Sequence, residues 1–192
     1  MEVVETNLQG ALILKPRVFR DSRGYFFESF SQREFDAAVG PVRFVQDNES
    51  LSCGRVIRGL HYQRPPYAQA KLVRCVRGAV LDVAVDIRHG SPTFGKSVAV
   101  ELTEDNHLEF YIAKGFAHGY AVLSDEAVFQ YKCDEFYHPE AEAGISIADA
   151  SLGIDWGISL EEAILSDKDM HHPLLANAPA DFVFQNQDIA RP

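Results

Sequence analysis

Apolar and polar residues alternate in short runs along this chain, and this period of two is the strongest constraint on its fold. Successive side chains of a β-strand point to opposite faces, so such runs predict strands with one buried face. Turn-forming clusters such as GSPTFG and LTEDN separate the runs, which favours an antiparallel β-sandwich or barrel over alternating strands and helices. The runs are GYFFESF (24–30), VRFVQDNES (42–50), KLVRCVR (71–77), AVLDVAVDIR (79–88), KSVAVELT (96–103), HLEFYIA (107–113), YAVLS (120–124) and AVFQYKC (127–133).

Helical signals are weak and few. SQREFDAAV (31–39) opens with Ser31 as a candidate N-cap. SLEEAILS (159–166) places Glu162 three residues after Ser159, which is the spacing of a capping box. Both segments predict short helices at the periphery of the sandwich.

Length and the absence of a linker predict a single domain. The chain has 192 residues, and its Gly and Pro residues are spread along it instead of marking a boundary. We expect one domain over 1–192, with the C-terminal segment from about 158 to 192 packed on it. The predicted fold is all-β, an antiparallel sandwich or jelly roll with a few short helices, able to hold a small ligand in its mouth.

Composition excludes several partners. The formal net charge of −10 argues against broad binding to nucleic acid or to an anionic membrane, because both need a large positive field. No apolar run approaches the ~20 residues of a membrane span, and the N-terminus lacks the basic start of a secretory signal. Cys53, Cys75 and Cys133 form no CxxC motif and have no metal-like spacing, and an odd, sparse set of cysteines is typical of reduced thiols. We therefore expect a cytoplasmic protein.

Positive charge is nevertheless concentrated in one stretch, from Arg55 to Arg88. Its only acids are Asp82 and Asp86. An arginine-rich solvated face is one interpretation of this basic block, and a pocket for a small anion such as a phosphate ester is the other. The bases are Arg55, Arg58, Arg64, Lys71, Arg74, Arg77 and Arg88.

Strand parity places two polar side chains among apolar ones. Lys71 shares a strand face with Val73, and Tyr131 shares one with Phe129, where its hydroxyl needs a partner. His61 lies inside the basic block and is a candidate for a chemical role. The alternatives are a buried histidine satisfied by one hydrogen bond and a tyrosine at the rim of an ordinary core.

Metal binding has little support from residue spacing. GFAHGY adds His118 to His61, but two histidines are too few for a site that generally needs three or four ligands. Gln63 stands where a second histidine of an HxH pair would be. His171 and His172 are adjacent, which is poor geometry for one metal, and they follow a segment that reads as exposed.

Nucleophilic and cofactor chemistry are also poorly supported. No serine lies in a G-x-S-x-G elbow, and neither a G-x-G-x-x-G motif nor a P-loop is present. Taken alone, LSDKDMHHP (165–173) predicts a charged, solvated loop. We expect neither a metal nor a redox cofactor.

The order of motifs resembles one known family, the dTDP-4-dehydrorhamnose 3,5-epimerases, which are cupin-type jelly rolls of sugar-nucleotide metabolism. Each motif alone is weak, but together they span most of the chain. They are RDSRGYFFE (20–28), QDN (46–48), IRGLHYQ (57–63) with AKLVRCVRGAVLDVAVDIR after it, GFAHGY (115–120), the tyrosine of FQYKC, YHPEAEAGI (137–145), LGIDW (152–156) and LSDKD (165–169).

The resemblance implies a function and a set of site residues. His61 would be the base that abstracts a proton and Tyr131 the acid that returns one. Asp169 matches the carboxylate that pairs with the histidine, and Lys71 would face the C4 oxygen of a 4-keto sugar. The matching substrate-binding positions are Arg23, Glu28, Gln46, Asn48, Arg58, Lys71, His118, Glu142 and Lys168.

The implied reaction inverts C3 and C5 of dTDP-4-dehydro-6-deoxy-D-glucose and gives dTDP-4-dehydro-L-rhamnose without a cofactor. The resemblance also implies that the basic block binds the diphosphate of the substrate. It implies a nucleotide sugar as the binding partner and a homodimer as the assembly. The chain departs from the family pattern at Ile147, Ala150 and Gly157, which lie outside the proposed acid and base.

Three alternatives stay open from the sequence. A C3-only epimerase or a ketoisomerase of a deoxysugar pathway would keep the same histidine. A non-catalytic sugar-binding jelly roll would keep the arginines but would not need His61, Tyr131 and Asp169 together. A metal-dependent cupin would need a ligand set that this sequence lacks.

Overall fold

The computed structural model of this chain describes residues 1–185. The strands are β1 Glu2–Glu5, β2 Ala11–Lys15, β3 Phe19–Asp21, β4 Gly24–Phe26, β5 Gln46–Cys53, β6 Ile57–Gln63, β7 Lys71–Arg77, β8 Ala79–Asp86, β9 Ser97–Thr103, β10 Glu109–Ile112, β11 Phe116–Val122, β12 Glu126–Cys133 and β13 Glu142–Gly144. The helix α1 spans Gln32–Ala38, and short 3-10 helices span Pro139–Ala141, Ala150–Leu152, Asp169–His171 and Leu175–Asn177.

Two antiparallel sheets form the body of the fold. One has the strand order β1-β2-β10-β7-β12-β5, and the other has the order β13-β6-β11-β8-β9. Strands β3 and β4 pair only with each other, as a separate hairpin. The predicted all-β antiparallel architecture is therefore confirmed.

The main core lies between the two sheets. Phe110 and Phe129 of the first sheet and Ala84 and Val122 of the second belong to one cluster of buried residues. Strands β7, β9, β10 and β12 each contribute buried side chains at alternate positions to this cluster, which explains the period of two in the sequence.

A second core covers the outer face of the five-stranded sheet. Ile57 and Val85 of that sheet pack with Trp156, Leu175 and Phe182, which come from the chain after β13. The residues after β13 thus lie against the sheet that carries His61. Within residues 1–185, no helix has the length and apolar character needed to cross a membrane.

One predicted helix is confirmed and the other is wrong. Helix α1 begins after Ser31, although the Ser31 side chain makes no capping hydrogen bond. Residues 159–166 form turns instead, and Ile164 makes a parallel bridge to Val56. The Ile164 N–H donates to the Arg55 carbonyl at 2.9 Å, so pairing with a neighbouring strand prevails over the local capping signal.

A close approach of two glycines brings β6 and β11 together beside the site. An added Cβ at Gly59, whose φ is +139°, would lie 2.6 Å from the Gly119 Cα. Backbone atoms cannot move aside as a flexible side chain can, so this contact requires glycine. In the same pair of strands, His118 lies directly opposite His61.

Candidate active site

A cavity of about 320 Å³ is lined by strands of both sheets. Strands β5, β7 and β12 supply one wall, and β6 and β13 supply the other. The lining residues are Gln46, Asn48, His61, Tyr62, Gln63, Gln69, Lys71, Tyr131, Cys133, Tyr137 and Glu142. Three of the four residues predicted to be catalytic therefore share one cavity.

The fourth, Asp169, contacts that cavity through His61. Its Oδ1 lies 2.5 Å from the Nε2 of His61, and its side chain is only 3% exposed. Burial raises the pKa of Asp169, but the hydrogen bond and charge of His61 outweigh it and hold the pKa below its usual value. A carboxylate accepts, so Nε2 carries the proton and donates it, which leaves the Nδ1 lone pair of His61 available as a base.

Tyr131 and Lys71 lie on the wall opposite His61. Tyr131 belongs to β12 and Lys71 to β7, and the Lys71 Nζ lies 5.9 Å from the centre of the Tyr131 ring. Burial raises the pKa of Tyr131 to about 12 and lowers the pKa of Lys71. The phenol therefore keeps its proton at neutral pH, which is the state that a general acid needs.

Polar side chains at one side of the cavity form a connected network. Gln46 donates to the Asn48 Oδ1 at 3.0 Å. Glu142 accepts hydrogen bonds from Lys168 and from the Tyr137 hydroxyl. Burial raises the pKa of Glu142, but these two hydrogen bonds prevail and leave the pKa of Glu142 lowered. Glu142 is thus a carboxylate at neutral pH, held by these two donors.

Arg58 and His118 lie outside the lining. The Arg58 Nε donates to the Ser52 hydroxyl at 3.0 Å, and the positive charge of Arg58 acts on Tyr131 nearby. His118 is buried, with its Nε2 3.0 Å from both carboxylate oxygens of Asp82. Burial lowers the pKa of His118 against the opposing charge of Asp82. A buried carboxylate therefore holds His118 on the strand beside His61.

Arg23 and Glu28 lie away from this cavity in the described chain. Arg23, at the tip of the β3–β4 hairpin, is 88% exposed and pairs with Asp21 at 2.6 Å. Glu28 borders a different depression, beside Met1 and Ser31. The two residues belong to one projecting segment of the chain.

Sequence reasoning gave His172 no place in the site; the loop that carries it is mostly exposed, as expected, but the His172 side chain itself is largely buried. The side chain is 11% exposed, and its ring lies 5.6 Å from the His61 ring, measured between centres. Room for it exists because residue 144 is glycine. An added Cβ there would lie 2.5 to 2.6 Å from three ring atoms of His172. Nothing in the local sequence pattern signals this long-range contact.

The three departures from the family pattern stay clear of the cavity in the described chain. Ile147 is buried in the outer core, and its carbonyl accepts a hydrogen bond from the Trp156 indole at 3.1 Å. Ala150 begins a 3-10 helix, and Gly157 adopts a φ of +69°. These residues shape the loops on the outer face of the five-stranded sheet.

We predict that Tyr131 keeps its phenolic proton far into the alkaline range. The pKa of Tyr131 is about 12 in the folded protein, above the ordinary value of 10.0. The protonated phenol therefore contributes fully to folding stability below pH 10, and this contribution is lost as the pH rises through about 12. Phenolate absorbance, measured as wild type minus Tyr131→Phe, should appear only above about pH 11 in the folded protein. In denaturant the phenolate absorbance of Tyr131 should appear near pH 10.0. Phenolate absorbance near pH 10.0 in the folded protein would contradict a buried phenol.

Comparison with known proteins identifies the family. The family model described as dTDP-4-dehydrorhamnose 3,5-epimerase matches residues 5–177. The dTDP-4-dehydrorhamnose 3,5-epimerase of Escherichia coli strain K12 is 55% identical over 170 residues, which cover 88% of this chain and 91% of the relative.

Solved structures agree with this assignment. The Legionella pneumophila dTDP-6-deoxy-D-glucose-3,5-epimerase RmlC, in complex with dTDP-4-keto-L-rhamnose, superposes with a TM-score of 0.92. It is 45% identical and covers 96% of this chain and 98% of its own. ChmJ, a 3′-monoepimerase of Streptomyces bikiniensis, has 35% identity and a TM-score of 0.87, with 97% of each chain covered. This protein is accordingly a cupin-type jelly roll that belongs to the dTDP-4-dehydrorhamnose 3,5-epimerase family.

Proposed function

We propose that this chain inverts C3 and C5 of dTDP-4-dehydro-6-deoxy-D-glucose to give dTDP-4-dehydro-L-rhamnose. The observation that carries the proposal is one cavity with the His61–Asp169 pair on one wall and Tyr131 on the other. An inversion requires a base on one face of the sugar and an acid on the opposite face. Family membership and the named activity of the relatives support the same reaction.

The chemistry follows from the C4 ketone of the substrate. The ketone makes the hydrogens on C3 and C5 acidic, because the carbanion formed at either carbon delocalises onto the C4 oxygen. The His61 Nδ1 takes the proton, and the Asp169 carboxylate stabilises the imidazolium that results. Tyr131 then donates its phenolic proton to the opposite face of the same carbon. Solvent restores both side chains before the next inversion.

Lys71 is placed to stabilise the enolate between these two steps. It lines the cavity beside Tyr131, and its ammonium is a hydrogen-bond donor in a site largely removed from water. Donors aimed at a developing oxyanion are typically worth about 3 to 4 kcal/mol each. The reaction moves only protons, so we propose that it needs no redox cofactor.

Polar groups near the cavity are suited to the rest of the nucleotide sugar. Gln46, Asn48, Glu142 and Lys168 lie along one side of it and offer donors and acceptors to sugar hydroxyls. Arg58, at the start of the basic block, offers charge to the diphosphate. His118 would support the site from the strand beside His61, where Asp82 holds it.

A homodimer would complete the site. Arg23 and Glu28 lie on the segment around the β3–β4 hairpin, away from their own chain's cavity. This hairpin exposes three aromatic rings, of which Phe26 is 68% exposed, so it presents an apolar surface for a second copy of the chain. We therefore propose that the hairpin of one protomer carries Arg23 and Glu28 to its partner's cavity. The other exposed rings are Phe19 and Tyr25.

The cytoplasm is the proposed compartment. The cysteines at 53, 75 and 133 are all free, and two of them are buried. Free thiols persist in a reducing environment, where a nucleotide sugar would also be made and consumed.

An epimerase restricted to C3 is the second candidate. ChmJ, described as a 3′-monoepimerase, shares the fold over nearly the whole chain. The same base and acid serve either reaction, so the number of carbons that exchange hydrogen with solvent decides between the two.

In deuterated water, we predict that turnover of dTDP-4-dehydro-6-deoxy-D-glucose places deuterium at both C3 and C5. Each inversion replaces a carbon-bound hydrogen with one that derives from solvent, and NMR of the product counts the positions. His61→Ala should abolish exchange at both carbons. Deuterium at C3 alone would establish the monoepimerase, and none at all in the wild type would establish a binding protein.

Tyr131→Phe should separate exchange from inversion. The variant keeps the ring that fills the wall and still forms the enolate, and His61 can return a deuteron to the face from which it took the proton. Loss of a general acid typically costs about 10² to 10⁴ in rate, so inverted product should fall by that factor while exchange with retention persists. Equal loss of both processes would assign Tyr131 to binding or to enolate stabilisation instead.

Mixing two inactive variants should restore activity if the hairpin serves the partner. A dimer of one His61→Ala chain and one Arg23→Ala chain contains one intact site, with His61 from one protomer and Arg23 from the other. Random reassociation makes half of the dimers mixed, so about a quarter of wild-type activity should return. A mixture of His61→Ala with Tyr131→Phe is the control, because both residues line the cavity of one chain. No recovery with Arg23→Ala would place Arg23 in its own chain's site or outside it.

A further inference from the structure

Three side chains next to the cavity form a cluster with the composition of a metal site. The ligand atoms of His61, Asp169 and His172 all lie within 4.8 Å of one another. The Asp169 Oδ1 lies 2.5 Å from the His61 Nε2 and 3.7 Å from the His172 Nε2. Two imidazole nitrogens and one carboxylate are a donor set used for zinc and related divalent ions.

The second histidine of this cluster has a free nitrogen. The His172 Nε2 is buried and has no hydrogen-bond partner among the described residues, since Asp169 lies beyond hydrogen-bonding distance. A Cβ added at Gly144 would be nearly equidistant from Nε2, Cδ2 and Cε1 of His172, so the glycine lies over the face of the ring. The in-plane lone pair of Nε2 is therefore not directed at Gly144. A buried polar atom left unpaired is costly, and a ligand would offset that cost.

The spacing suits a small ion after modest rotation of the side chains. Zinc binds nitrogen and oxygen at about 2.0 to 2.2 Å, so tetrahedral ligand atoms lie roughly 3.4 Å apart. The distances of 2.5 and 3.7 Å and the limit of 4.8 Å bracket that value. One carboxylate in the set opposes the charge of the ion.

We infer that His61, Asp169 and His172 bind a divalent transition-metal ion such as Zn²⁺, and that this ion inhibits the enzyme reversibly. The inhibition rests on the proposed role of His61 as the base, whereas the binding does not. In the metal-free pair the His61 proton is on Nε2 and the lone pair is on Nδ1. When an ion binds Nε2, the ring must adopt the other tautomer, in which the same proton lies on Nδ1. No proton is released, and the ring has no lone pair left to attack a C–H bond.

Calorimetric titration of ZnCl₂ into the metal-free, full-length protein tests the binding. We expect one ion per chain. Loss of an outer-shell partner already costs about 10- to 100-fold in metal affinity, so His172→Phe, which removes a ligand and keeps a ring over Gly144, should cost at least tenfold. His171→Phe is the matched control, because His171 is exposed and its Nδ1 bonds the Asp167 carbonyl. Unchanged affinity in His172→Phe, or equal loss in both variants, would overturn the site.

His172→Leu is the second variant if His172→Phe does not fold, as judged by circular dichroism. It also removes the nitrogen, and it carries the same expectation of at least a tenfold loss. A zinc affinity equal to that of the wild type in a folded variant would show that the ion binds elsewhere.

Turnover under a zinc titration tests the inhibition. Zinc should slow the wild type and EDTA should restore it, while His172→Phe should need at least about tenfold more zinc for half inhibition of its own metal-free rate. Zinc could also slow turnover by binding the diphosphate of the substrate, which would affect both variants equally. His171→Phe controls for that effect. Zinc that binds through His172 yet leaves turnover unchanged would overturn the inhibition and the base role of His61, but not the site. If no epimerisation occurs at all, the calorimetry still decides whether the metal site exists.

Discussion

The hydrogen bond between His61 and Asp169 is the interaction on which the site depends. It joins a strand of the five-stranded sheet to a 3-10 helix more than a hundred residues later in the chain. The helix is held there by the outer core, where Leu175 and Phe182 pack on that sheet, and by the Leu175 N–H, which donates to Asp149 at 2.7 Å. Apolar burial on the outer face of the sheet thus holds Asp169 in place, and the Asp169 carboxylate fixes the tautomer of His61.

Removal of water shifts the pKa values of the two groups opposite His61 in opposite directions. Burial penalises the charged form of each, so it raises the pKa of Tyr131 and lowers the pKa of Lys71. A tyrosine that holds its proton and a lysine that gives one up more readily are both suited to enolate chemistry. Hydrogen bonds to an oxyanion are also stronger where water is excluded.

Much of the fold was predictable because strand periodicity is a local property. The alternation in KLVRCVR and AVFQYKC placed Lys71 and Tyr131 on inward faces, and both line the cavity. The capping box at Ser159 failed because Ile164 pairs with Val56, and backbone pairing between distant segments is invisible in a local pattern. His172 was missed for the same reason, since its place beside His61 depends on the missing side chain of Gly144.

The sequence by itself determined the all-β architecture, the basic block, the family and the types of residue available for proton transfer. These follow from periodicity, charge and motif order, which can be read directly from the amino-acid sequence. Only the tertiary structure decided that His172 joins the pair of His61 and Asp169, that Asp82 holds His118 beside His61, and that Arg23 and Glu28 lie outside their own chain's cavity. Contacts of this kind are set by how two sheets and a C-terminal segment bury apolar surface together, and no local pattern encodes them.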